Sequence, residues 1–149
     1  MPGFSDSLFV RQPVEVVFAA LCCLEDIPCF VPQVRSVRVL TLGAPGPGTQ
    51  FEQTARFWGV TTRVLTEVTH LQQDRLLAYR SLTGVLRYRA HYLLSAADGG
   101  AYLAYTVVVA IPWPLRWAGP VLMGVVKRVY KQNMALLGWL LEEHGALCP

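Results

Sequence analysis

Tyr88, Ala90 and Tyr92 alternate with Arg87, Arg89 and His91. In a β-strand that spacing puts both phenols on one face, and the small Ala90 leaves room between the rings. A phenol joins a large apolar body to a hydroxyl that can orient a ligand carbonyl or donate a proton. Tyr105, in the next segment, is a third candidate, although that segment is apolar on both faces and leaves its direction open. Gln53 alternates with Phe51, Ala55 and Phe57, so it is either the polar group of a pocket or an edge residue near solvent. Asn133 stands at the centre of the apolar stripe of a long C-terminal amphipathic segment. An amide buried there needs a hydrogen-bond partner, which is a ligand, a sheet tyrosine or the backbone.

Other chemistries lack their residues. Glu67 and His70 are the only acid and base close together in a strand-like segment, and three positions apart they point to opposite faces unless a bulge intervenes. His91 shares the Arg87/Arg89 face, and His144 follows Glu142 and Glu143 at the end of the last helix. These three histidines show no metal-ligand spacing, so neither a metal nor another cofactor is implied. No G-x-S-x-G occurs, and no cysteine has a base beside it in sequence. The run from Gly43 to Gly48 lacks the Lys-Ser/Thr of a phosphate loop and precedes a strand rather than a helix.

The elements that must position these residues follow from periodicity. Ser5 to Arg11 reads as a first strand. Pro13 opens a helix to Cys23, with Val14, Val17, Phe18 and Leu21 at helical spacing. Asp26 is suited to cap a second short helix, Ile27 to Val31, ended by Pro32. Six strands follow: Val34 to Leu42, Thr49 to Phe57, Thr61 to His70, Arg75 to Ser81, Val85 to Ser95 and Ala101 to Ile111. Short turns join them, so they form an antiparallel meander with one face to bury. A helix starting at Pro114, broken or restarted at Pro120, runs to about His144 and stops at Gly145. On a helical wheel Leu122, Val125, Val129, Asn133, Leu136 and Leu140 lie opposite Lys127, Arg128, Lys131, Gly138 and Glu142. The order β-α-α-β6-α is that of an α+β domain with the long helix laid across the sheet.

Composition sets the bounds. The 149 residues suit one domain, residues 1–149. Hydrophobic residues make up 53% and charged residues 15%, against a usual ~25% charged, which excludes a disordered chain. The net charge is +3, with positive residues scattered in small groups, Arg87/Arg89 and Lys127/Arg128/Lys131, rather than in the stripe that nucleic acid requires. The uncharged run Gly99 to Leu115 is cut by Pro112 and Pro114 and is β-branched before them, so it reads as a strand and no transmembrane segment is expected. Cys22, Cys23, Cys29 and Cys148 form no C-x-x-C pair, and no signal peptide precedes them. A reduced cytoplasmic protein with buried thiols is the expectation.

Three local patterns carry a family likeness. Val10-Arg11-Gln12-Pro13 followed by Val17-Phe18 resembles the strand-to-helix opening of the START/Bet v 1-like (SRPBCC) superfamily. Asp26-x-Pro28-x-Phe30-x-Pro32-x-Val34 resembles the second-helix segment of its polyketide cyclase/dehydrase-like branch, and Gly46-x-Gly48-Thr49-x-Phe51 resembles the Gly-rich entry to strand three. The resemblance implies a helix-grip fold, a curved seven-stranded antiparallel sheet wrapped around the long helix with a cavity between them. It implies a small hydrophobic ligand, polyketide-, lipid- or quinone-like. The expected walls are Phe51, Gln53, Tyr88, Tyr92, Tyr105, Leu122, Val125, Val129 and Asn133, with Phe30 and Trp117 near the mouth. An enzyme of this kind would cyclise or dehydrate its substrate. The rivals are a non-enzymatic carrier or chaperone, and a protein-interaction module, for which the apolar outer face of strand seven would also suit a homodimer.

Overall fold

The computed structural model describes residues 3–57, 59–84 and 86–148, Phe57 by its backbone alone. The chain runs β1 (Gly3–Val10), α1 (Val14–Cys22), a 3-10 turn (Leu24–Asp26), α2 (Ile27–Phe30) and β2 (Val34–Val39). It continues through β3 (Gln50–Phe57), β4 (Val60–Gln72), β5 (Leu76–Ser81), β6 (Arg87–Ala97) and β7 (Gly100–Ala110) to a 3-10 helix (Trp113–Ala118) and α3 (Gly119–His144). The sheet order is β1-β7-β6-β5-β4-β3-β2, antiparallel throughout. This is the α+β helix-grip arrangement. Val85, where the sequence places the start of strand six, lies outside the described residues.

Alternation decides which face is buried. In β6, Ala90, Tyr92 and Leu94 point inward while Arg87, Arg89, His91 and Leu93 are exposed. β7 resolves the ambiguity of its apolar sequence: Leu103, Tyr105, Val107 and Val109 are buried, and Tyr102 and Ala104 are exposed. At the β6–β7 hairpin, Gly100 passes so close to β1 that a Cβ would lie 2.1 Å from the Val10 carbonyl oxygen, so only glycine fits. Asp26 closes the 3-10 turn and makes no side-chain cap to α2, contrary to the expectation from its residue type.

The interior is apolar. Phe51, Val68, Leu103, Leu137 and Leu141 are fully buried in it. α3 packs against β1 and α2, and the Arg11 amide bonds Glu142 (2.8 Å) while the Gln12 side chain donates to the Leu141 carbonyl (2.8 Å). Gly145 ends the helix in the left-handed conformation, φ 68°.

Two sequence expectations are corrected. The polar side of the wheel included Gly138, which is buried with a virtual Cβ 3.2 Å from Leu8. Asn133, Leu136 and Leu140 of the expected stripe do pack inward, but the inner face also takes in Met123, Tyr130, Met134, Leu137 and Leu141, so it is turned by roughly a fifth of a turn from that stripe. The first half of α3 is apolar nearly all round, so three basic residues there weakly define its inner face. The second correction concerns sulfur. Cys29 of α2 and Cys148 are joined by a disulfide with Cα atoms 5.6 Å apart, and Cys23 is exposed. The expectation of four reduced, buried thiols fails because no local spacing announces a pair 119 residues apart.

Candidate ligand-binding site

Register brings the polar groups of four strands together. Phe51 of β3 lies opposite Thr66 of β4, which lies opposite Ser81 of β5. Tyr79 neighbours Ala90 of β6, and Tyr92 sits between Leu77 and Tyr105. All these side chains stand on the concave side, beneath α3.

They form two hydrogen-bonded groups. In one, the Gln53 amide nitrogen donates to the Tyr88 hydroxyl (3.0 Å) and to Thr66 Oγ1 (3.3 Å). Both contacts use the nitrogen, and the Gln53 side-chain carbonyl oxygen keeps an unused acceptor position among the described residues. In the other, the hydroxyls of Tyr79 and Tyr92 are 3.1 Å apart, and that of Tyr92 contacts Tyr130 of α3 at 2.5 Å. Tyr79 meets the Phe51 ring edge-on, and Tyr130 packs against Phe4 and Tyr105.

Burial raises the pKa of each phenol. Tyr79 and Tyr92 are held well above the usual tyrosine range, by desolvation first and then by neighbouring phenols. Tyr88 and Tyr130 are raised for the same leading reason, and Tyr105 is pushed up to about 12 by burial, with Asp6 of β1 adding to it. At neutral pH these groups are hydrogen-bond and proton donors, never resting bases. Such a set suits an apolar molecule bearing carbonyl or hydroxyl oxygens.

The candidates separate. Phe51, Gln53, Tyr88, Tyr92 and Tyr105 share the concave side, although Tyr105 and Tyr88 belong to different hydroxyl groupings. Asn133 is buried, and its amide donates to the Gln33 side chain (3.2 Å), tying α3 to the segment before β2. Among protein partners the expectation was a sheet tyrosine or the backbone, and Gln33 is neither. Leu122 and Val129 are half-buried, and Val125 is exposed. Phe30 is buried and Trp117 exposed. Sequence reasoning passed over Tyr79, Thr66 and Tyr130. The signal for Tyr79 is its place between Leu77 and Ser81 at strand period. For Tyr130 it is the helical spacing to Met123, Met134 and Leu137.

A register shift between Val68 and His70 supplies the bulge that changes the Glu67/His70 relation. Glu67 lies opposite Arg80, and His70 opposite Ala78, so both side chains are on the convex face. Glu67 pairs with Arg80 at 3.2 Å, while the His70 ring lies 6.5 Å from His91 across Ala78. They form no acid–base pair. Nearby, a hollow of about 330 Å³ is lined by Arg80, Ser81, Leu82, Arg87, Tyr88, Arg89, Val108 and Ala110, residues of both faces. Arg87 is committed there to the carbonyls of Leu82 and Gly84.

Residues 1–142 match the family described as polyketide cyclase/dehydrase and lipid transport. The chain belongs to that family. Its fold is shared with a START superfamily protein from Mycobacterium smegmatis (13% identity, TM-score 0.77, covering 91% of this chain and 92% of the other). It is also shared with the protein TTHA0849 of Thermus thermophilus (22%, 0.74, 95% and 95%). The di-domain aromatase/cyclase StfQ of the steffimycin pathway matches at 16% identity and TM-score 0.78, covering 96% of this chain and 51% of that protein. No curated protein matches the sequence. The family and its START-like neighbours make this a hydrophobic-ligand-binding fold. Among the described residues no helix is long and apolar enough to cross a membrane.

Proposed function

We propose that the protein binds one small, oxygenated hydrophobic molecule between the concave sheet and the first half of α3. Apolar contact supplies most of the affinity, and Gln53 with the tyrosine hydroxyls sets orientation. The observation that carries this reading is the gathering of Gln53, Thr66, Tyr79, Tyr88, Tyr92 and Tyr130 on one face of an otherwise apolar interior. A core that served packing alone would lose nothing by replacing such a set with apolar groups of the same shape. Polyketides, quinones and lipids all fit the description. Turnover, if present, is cyclisation or dehydration of a polyketide-like substrate, held in a folded conformation while a neutral phenol donates a proton.

Native mass spectrometry of the purified protein, followed by organic extraction, tests the binding. A co-purifying compound of small-molecule mass, lost from Gln53→Leu/Tyr88→Phe protein that still melts cooperatively, supports the site. An apo mass unchanged by a panel of quinones, lipids and aromatic polyketides refutes it. Incubation of the identified compound then separates an enzyme, which changes it, from a carrier, which returns it intact.

A further inference from the structure

The segment that leads into α3 exposes what proteins usually bury. Trp113 is 78% exposed, Trp117 84% and Val121 74%, and Val125 follows one more four-residue step along. Leu115 between the tryptophans is exposed as well. Between Asp98 and Glu142 the sequence contains no Asp or Glu, while Arg116, Lys127, Arg128 and Lys131 fall inside that interval. All four are exposed. On α3, Arg128 lies nearly in line with Val121 and Val125, Lys131 lies roughly a quarter-turn to one side of that line, and Lys127 lies farther round the helix.

We infer that this surface, from Trp113 to Lys131, docks on an anionic lipid bilayer. Tryptophan is the side chain best suited to headgroup depth, with an apolar ring and one N–H donor. Exposed valine and leucine add apolar area that enters the acyl boundary. The basic residues meet the lipid phosphates and carboxylates, and the absence of any acid in the interval removes the repulsion that would oppose them. A second copy of the chain is a poorer occupant. A two-fold contact would bring the same Arg128 and Lys131 of both copies together with no carboxylate between them. The docking surface stands apart from the ligand reading, so failure of either leaves the other where it is.

Co-sedimentation of the full chain with phosphatidylcholine vesicles, and with vesicles that also contain phosphatidylserine, tests the inference. The expected result is binding to the second kind alone, weakened by salt and accompanied by a blue shift of tryptophan emission. Trp113→Ala/Trp117→Ala abolishes binding while the thermal melt is unchanged. Arg128→Gln and Lys131→Gln each weaken it about fivefold, and Lys127→Gln, farther round the helix, weakens it less. No binding by the wild-type protein overturns the inference, as does binding that survives the double tryptophan variant. A wild-type dimer that the tryptophan variant dissociates, without vesicle binding, assigns the surface to self-association instead.

Discussion

The two halves of α3 are built for different ends. From Asn133 to Leu141 the helix is clamped. Met134, Leu137 and Leu141 are at most 1% exposed, Gly138 lets the helix approach Leu8 of β1, and Glu142 and the Leu141 carbonyl bond the β1–α1 junction. From Gly119 to Gln132 the helix is also rich in apolar residues, yet Gly119 is its only buried residue. Beneath this half stand the phenols. The contrast teaches that one helix can be a structural rivet at one end and an incomplete lid at the other. Hydrophobicity by itself does not tell which half is which; what lies opposite does.

Predictions that probe this contrast run from large effects to small. The largest comes from alkali, because the phenols under the loose half act together. Well below pH 10 the tyrosines are protonated in both the folded and the unfolded chain and add no pH dependence of their own. Above it the unfolded chain releases protons while the raised phenols hold theirs, so stability falls from pH 10 through the Tyr105 value of about 12 and beyond. Urea titrations at pH 8, 10 and 11 check this, and a flat profile denies the burial of the phenols.

Next is the covalent tie at the clamped end. Closing a loop of 119 residues is worth about 5 kcal/mol by loop entropy, so Cys29→Ser lowers the denaturation midpoint steeply, as reductant does to the wild type. Leu137→Ala follows, at about 2–5 kcal/mol, with ligand content unchanged in native mass spectra. Tyr92→Phe takes the middle hydroxyl from the Tyr79–Tyr92–Tyr130 set, costs about 1–3 kcal/mol in urea and reduces ligand retention. Smallest is Val125→Ala on the exposed side of the loose half, within about 0.5 kcal/mol. A loss there as large as at Leu137 would erase the distinction between the halves.

The meander of β2 to β7, the hairpin turns and the inward face of β6 were legible because they rest on strong local signals: alternation, glycine and β-branching. The terminal Gly145 was legible for the same reason. What escaped depended on partners far away in sequence. Asn133 was recognised as buried and polar, but Gln33, a hundred positions earlier, has no mark that selects it. Tyr130 sits among Val129, Lys131 and Gln132, and only the sheet opposite makes its face the inner one. The β4 bulge adds one residue that no alternation rule anticipates, and it moves His70 to the side of Glu67. Cys29 and Cys148 belong to this second class.

That disulfide has a topological consequence. Everything from α2 through α3 to Cys148 lies within one covalent ring, and β1 with α1 forms a tail outside it. A protease cut in any loop of the ring leaves a single particle on a non-reducing gel. A cut in the segment between α1 and α2 is different in kind. It frees the strand that completes the sheet beside β7 and carries Leu8 under Gly138, so that noncovalent pairing alone then holds the floor on which the clamped half of α3 rests.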